Sequence, residues 1–278
     1  MAAIKPTTSY PTSSTRPAFW LVLLALVIIV VSWLLNSPEG LLGKADAVGY
    51  AICHRIDGRS FHIGNIQMPL CARCTGIYLG VVLGVVTMAA AGRGRAGGMP
   101  PLRVIAVLVA FIVIMGIDGV NSYLTLLPFL PHVYEPQNWL RLTTGMFNGV
   151  AVSGLVFPVF NQTLWRNWED RPAIASLREL GGLVLLAAIL IGLVLTENPI
   201  ILYPLALISS AGVVMLLTIT CGMIFMISTR SDNQARNWRG AFVPLSAGLT
   251  LSFAVILLID VLRYTLTGTW GGFLIPGA

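Results

Sequence analysis

The sequence points to an all-α, polytopic transmembrane helix bundle of about seven spans with its N-terminus inside. Three observations carry this reading. The 278 residues are 56% hydrophobic and only 10% charged, with a mean hydropathy of +0.84, far from the mix of a soluble domain. Apolar runs long enough to cross about 30 Å of hydrocarbon recur along the chain. The basic residues collect in alternate connections between those runs, the asymmetry that sets the orientation of membrane proteins.

Taken in order, the chain opens with a tail rich in Pro, Ser and Thr, residues 1–18, expected to be disordered and cytoplasmic. The first apolar run, Phe19 to Leu35, follows Lys5 and Arg16 as a signal sequence does, but Leu35-Asn36-Ser37-Pro38 is a poor small-residue cleavage site. It is therefore expected to be a retained signal anchor. Further spans are expected near 74–91, 102–120, 139–160, 177–195, 200–227 and 242–266. Nothing resembles a separate soluble domain, so residues 19–278 read as a single membrane domain.

Lys5 and Arg16, then Arg93, Arg95 and Arg103, then Arg166, Arg171 and Arg178, then Arg230, Arg236 and Arg239 fall in alternate connections, which this arrangement puts on the cytoplasmic side. The opposite connections, 121–138 and 196–199, hold no Lys or Arg. The expectation is a multi-pass protein of the inner (plasma) membrane with residues 36–73 on its outer face, although Lys44, Arg55 and Arg59 there run against the rule. Within that segment Ala45, Val48, Ile52 and Ile56 recur at helical spacing. This predicts a short amphipathic helix from Lys44 to Ile56 at the membrane surface, its last turn presenting Cys53 and His54. A loop then leads through Pro69 into the second span, placing Cys71 and Cys74 on its first turn. Gly76, Gly80 and Gly84 in that span, and Gly145 and Gly149 in the fourth, repeat at the four-residue interval that lets transmembrane helices approach closely.

Three of the four cysteines and two of the three histidines lie in this outer segment and the span start. Four cysteines in so long a chain do not make a disulfide scaffold. Cys71-Ala72-Arg73-Cys74 at a helix start puts two thiols on one face, where helix-terminal N–H groups favour thiolate. Such a pair can bind a soft metal, make and break a disulfide, or stay as two small buried side chains. With Cys53 and His54 brought back by the loop, Cys53, His54, Cys71 and Cys74 have the count and chemistry of a Zn²⁺ site. Adjacent residues seldom both reach one ion, so His62 competes with His54. No His follows Cys74, which removes attached haem, and no local fourth cysteine completes an iron–sulfur cluster, because Cys221 falls toward the inner side of the sixth span.

Charges within spans are the second signal. Asp118, Arg141, Arg73, Asp260 and Arg263 all fall in the leaflet of the Cys/His segment, and ionisable residues at such positions pair or line a wet cavity. The simple reading is two ion pairs, Asp118 with Arg141 and Asp260 with Arg263. The alternative is a shared polar pocket, with Asp118, Arg141 and Arg73 as candidate catalytic residues. His132 lies in the outer loop between the third and fourth spans and reads as a solvated loop residue. The net charge of +6 does not require nucleic acid, since the arginines sit in short loops and no basic groove or aromatic-basic motif is present. The lipid bilayer is the expected partner, with other membrane proteins as further partners. Nucleophile-elbow, phosphate-loop and His-Glu-x-x-His signatures are absent.

Cys53-His54, Arg59-Ser60-Phe61, the block Leu70-Cys71-Ala72-Arg73-Cys74-Thr75-Gly76-Ile77-Tyr78-Leu79-Gly80, Ile117-Asp118-Gly119, and Asn138 with Leu140-Arg141-Leu142-Thr143-Thr144-Gly145 resemble the prokaryotic membrane-protein family called domain of unknown function 2085. The resemblance runs from roughly Val48 to Gly149. It implies Cys53, His54, Cys71, Arg73, Cys74, Asp118, Asn138 and Arg141 as motif positions, and it brings no established activity. The chain departs from the pattern at Val120-Asn121-Ser122, where a Gln is expected soon after Asp-Gly, and it continues about three spans further, so Asp260 and Arg263 draw no support from it.

Three classes of function stay open at the level of sequence, and whether the protein is an enzyme stays open with them. One is a membrane metalloprotein with Zn²⁺ on Cys53, Cys71, Cys74 and His54 or His62. Another is an outer-face, quinone-linked thiol–disulfide oxidoreductase in which Cys53 exchanges with the Cys71–Cys74 pair. The third is a transporter or a non-enzymatic subunit of a membrane complex.

Overall fold

A computed structural model describes residues 15–125 and 131–272. Among them are eight α-helices: α1 (Thr15–Asn36), α2 (Gly40–Ile52), α3 (Ala72–Met88), α4 (Leu102–Leu124), α5 (Asn138–Leu164), α6 (Leu177–Leu195), α7 (Pro199–Ser228) and α8 (Trp238–Thr267). All but α2 are long and apolar enough to cross a membrane, so the polytopic all-α bundle expected from the sequence is the fold. The helices follow the expected spans and overrun most of them by up to a turn, because they continue into polar flanking residues that hydropathy leaves out. Helix α1 starts at Thr15, inside the stretch expected to be disordered, and residues 1–14 lie outside the described residues. Starts and stops follow local chemistry. Ser176 accepts from the amide of Glu179 and Asn237 from that of Gly240. Asn198 caps a helix with Pro199 at its first position, and Gly268, at φ 66°, closes α8.

Helices α3 and α5 cross with backbones in contact. A Cβ on Gly76 or Gly80 would lie 2.3 Å from the carbonyl oxygen of Leu142 or Met146, and one on Gly149 would lie 2.0 Å from that of Ile77. In lipid, association of helices rests on such packing rather than on expulsion of water. The two glycine stripes are thus the seam of the bundle, as their spacing predicts. Along it Leu142, Met146 and Val150 of α5 pack with Leu79 of α3 and Leu108 of α4. Helix α1 runs beside α8, with Phe19 against Phe242 at 5.5 Å and Trp33 against Phe253 at 5.1 Å between ring centroids. Exposed aliphatic residues such as Leu24, Ile28, Val113, Ile117, Leu185 and Ile189 give the bundle the apolar exterior that lipid requires.

Helix α2 differs from the expectation. It is shifted toward the N-terminus and is not a surface-lying helix, because Ala45, Ala47, Val48, Gly49, Tyr50 and Ala51 are all buried. The small side chains explain this. They let α2 pack against both α7 and α8, and a Cβ on Gly49 would sit 1.9 Å from the Pro69 carbonyl oxygen. Helix α2 is therefore a packing element that presses its last turn onto the start of α3.

Candidate metal centre

Cys53 caps the C-terminus of α2 and Cys71 caps the N-terminus of α3. Between them the chain makes a closed excursion. Arg55 turns it at φ 51°, a 3₁₀ turn follows at Asp57–Arg59, and a small hairpin pairs His62–Ile63 with Ile66–Gln67. The amide of Met68 returns to Phe61 at 2.9 Å. This brings Cys53 back to Cys71 and to Cys74, one turn into α3. Their three sulfurs lie within 4.8 Å of one another, and all three thiols are free.

The environment of Cys53 is that of a thiolate. Its sulfur accepts from the amides of Arg55 at 3.5 Å and Cys71 at 3.4 Å. Donation from the Cys71 and Cys74 thiols holds it well below the ordinary thiol range. Cys71, which donates to Cys53, is pushed up to about 12, chiefly by that bond. The two neighbouring thiols thus favour the thiolate form of Cys53.

Neither histidine joins the three sulfurs. Among the described residues, no histidine nitrogen lies within 4.8 Å of all of them. The extended backbone of Cys53 sends successive side chains to opposite sides, so Cys53 turns inward and His54 turns away. His54 Nδ1 accepts from the Ile56 amide at 3.2 Å. Burial, opposed by the neighbouring Cys53 anion and reinforced by Arg59, Arg73 and Arg141, lowers its pKa and keeps the ring neutral. His62 stands on the hairpin with Nε2 2.9 Å from Asp57 Oδ1. His132 is likewise peripheral, 2.7 Å from Glu135, and Cys221 lies outside the cluster.

The charged residues of the spans do converge near the cysteines, with different partners from those expected. Asp118, 2% exposed, pairs with Arg73 of α3 instead of Arg141. Arg73 Nε donates to Asp118 Oδ2 at 3.1 Å and its Nη2 to the Asp118 carbonyl at 3.2 Å. The Tyr134 hydroxyl donates to Oδ1 at 2.8 Å and that of Thr144 to Oδ2 at 3.3 Å. Arg141 instead donates to Ser122 Oγ at 3.2 Å and to Asn138 Oδ1 at 2.8 Å. Asn138 in turn donates to the Gly58 carbonyl at 3.3 Å, tying α5 to the excursion between the cysteines. Asn121, where the family pattern expected a different amide, accepts from the Val133 amide at 2.7 Å and donates to the Tyr134 carbonyl at 2.9 Å. Its amide therefore holds the loop that carries Tyr134.

Two arginines that sequence reasoning did not place among the site candidates complete the surround. Arg59, buried, gives Nη2 to Thr125 Oγ1 at 3.2 Å, and Arg55 pairs with Asp46 at 2.8 Å. Arg59 falls within a motif block, which is the signal that marks it; Tyr134 carries none. From α8, Arg263 donates to the Cys53 carbonyl at 2.7 Å and also to that of Tyr50. Its guanidinium carbon lies 4.0 Å from the centre of the Tyr50 ring, so it caps the C-terminus of α2 with a cation. Asp260, for which Arg263 was the expected partner, accepts from the Trp33 indole N–H at 3.1 Å.

Fold and site together define a class: a multispan helical membrane protein with three cysteines gathered at one end of the bundle beside a ring of arginines. Within that class, residues 53–155 match the family described as "Predicted membrane protein (DUF2085)", which is the resemblance the motifs carry. The matched segment holds all three clustered cysteines together with Arg73, Asp118, Asn138 and Arg141. The chain is also similar to an uncharacterized protein of Methanocaldococcus jannaschii, with 26% identity over 162 residues that cover 54% of this chain and 97% of that protein. No solved structure matches the chain.

Proposed function

We propose that the protein is a membrane metalloprotein in which Cys53, Cys71 and Cys74 hold a soft divalent cation, Zn²⁺ in the first instance, at the outer face. The observation that carries this is the meeting of three free thiols within 4.8 Å. Tetrahedral coordination at about 2.3 Å per Zn–S bond sets sulfurs about 3.8 Å apart, a spacing the cluster reaches with small side-chain adjustments. The two amide donors on Cys53 suit a ligating thiolate.

Three protein ligands leave one coordination position for water or substrate, which is the pattern of a catalytic centre, whereas a fourth would close it as a structural one. His54 could close it only by leaving the Ile56 amide, and His62 only by a movement of the hairpin that carries it. The arginines suit an anionic ligand at the open position, because Asp118 faces Arg73 and Arg141 while Arg59 stands close to both of those cations without sharing that carboxylate. Placement at the outer face of the plasma membrane rests on the alternation of basic connections.

Elemental analysis of the purified protein tests the reading. One equivalent of zinc is expected in the wild type and none in Cys71→Ser or Cys74→Ser; wild type with free thiols and no metal would sink the proposal. A second reading draws on the same meeting of sulfurs, since Cys53 beside two thiols is also placed to close a disulfide with one of them, the two electrons and two protons released reducing a quinone to its hydroquinone. Alkylation mass shifts with and without reductant separate the two. Exchange requires a reducible disulfide, and metal binding requires thiols that a chelator exposes.

A further inference from the structure

A second polar feature lies where the end of α1 meets the outer half of α8. A cavity of about 250 Å³ is lined there by Trp33, Asn36, Ser37, Asp260, Tyr264 and Trp270. Asp260 is 2% exposed. One carboxylate oxygen takes the Trp33 indole N–H, while the other, Oδ1, is buried with no hydrogen-bond partner among the described residues. A carboxylate shut away from water without a partner is costly, and within a span it marks a site. Of the cations nearby, Lys44 Nζ is held by Ser37 Oγ at 2.9 Å and the Ser37 carbonyl at 3.0 Å, and Arg263 donates to the carbonyls of Tyr50 and Cys53 while its charge also attracts Asp260.

The cavity that Asp260 lines is walled largely by aromatic residues. Tyr264 and Trp270 sit with ring centroids 5.5 Å apart and planes tilted by 39°, and Trp33 turns its indole N–H edge to the carboxylate. A carboxylate in a cavity lined by aromatic side chains is a combination that recognises an organic ammonium group, by charge and by cation–π attraction. The volume suffices for an amino headgroup, since one water occupies about 30 Å³. The partly exposed Val261 and Tyr264 leave the cavity open on the side where lipid would lie.

We propose that the cavity between α1 and α8 binds an organic ammonium group, its charge on Asp260 and its alkyl substituents against Trp33, Tyr264 and Trp270. That group comes either from the headgroup of an amino-phospholipid or from a free amine. The walls of the cavity come from residues outside the segment that matches the family.

The test uses the full chain in detergent. Native mass spectrometry would compare retention of phosphatidylethanolamine and phosphatidylglycerol with identical acyl chains, and equilibrium dialysis would measure uptake of labelled ethanolamine. A lipid source predicts about tenfold more retained phosphatidylethanolamine than phosphatidylglycerol, the size of one good cation–π and charge contact. That preference should vanish in Asp260→Asn and in Trp270→Leu and persist in Asp260→Glu. A free amine predicts saturable ethanolamine uptake with the same pattern across variants. Equal retention of both lipids without ethanolamine uptake, or a preference unchanged in Asp260→Asn, overturns the proposal. Trp270→Leu, which keeps the carboxylate, guards against a fold lost in the Asp260 variants.

Discussion

Arg73 of α3 holds Asp118 of α4 by both its carboxylate and its backbone carbonyl. Because Arg73 sits between Cys71 and Cys74, this grip fixes the face that the two thiols present. It also joins α3 to α4, which make few direct contacts of their own, while α5 closes the network through Thr144.

Asp118→Asn should therefore destabilise the protein, since removing one partner of a buried ion pair costs about 3–5 kcal/mol. Thermal unfolding in detergent should show this loss, and the double variant Arg73→Met/Asp118→Leu should recover much of it. A loss no smaller in the double variant would mean that Asp118 matters for Tyr134 and Thr144 rather than for Arg73.

Gly149→Ala should separate α3 from α5, because its Cβ would fall 2.0 Å from the Ile77 carbonyl oxygen, whereas Gly119→Ala meets nothing within 4 Å. The first should lower the unfolding temperature and widen the sulfur cluster. The second should be neutral within about 0.5 kcal/mol. Melting curves and cysteine alkylation rates for the pair check both statements.

Metal affinity should fall as pH falls. Cys71 has its proton held up to about 12, so at neutral pH it is a thiol and must release that proton to ligate. The cost grows as protons become more abundant, by at least about tenfold in affinity for each pH unit across pH 6–8. Competition against a chromophoric zinc chelator at three pH values measures the slope, and a flat profile would contradict ligation by Cys71.

The proposed orientation predicts the labelling of new surface cysteines. In a background with the four native cysteines replaced by serine, Glu197→Cys in the exposed α6–α7 connection should react with an impermeant maleimide on intact cells. Arg171→Cys, at the other end of the bundle, should react only after lysis. The reverse pattern would put the cysteine cluster on the cytoplasmic side.

The spans were legible because a lipid-facing helix must be apolar over its length, and the sulfur cluster was legible because Cys71-x-x-Cys74 opens one of those helices. What escaped was set by backbone detail and by partners distant in sequence. The direction in which His54 points depends on the extended dihedrals of Cys53, which no spacing rule encodes. The partner of Asp118 was misassigned because Arg73 and Arg141 lie on two helices that both neighbour α4. Helix α2 has the period of an amphipathic helix, yet its Ala and Gly positions serve close packing on several sides. The bond between Trp33 and Asp260 joins the first helix to the last and leaves no local trace.

Arg263 adds a temporal consequence. Helix α8 is the last of the eight to leave the ribosome, so the carbonyls of Tyr50 and Cys53 go without their cation until the other seven helices have been made. A nascent chain can bring its sulfurs together once α3 is inserted, but α2 is clamped against them only when α8 docks. Secure retention of an ion would then report that the bundle has been assembled through to its final helix.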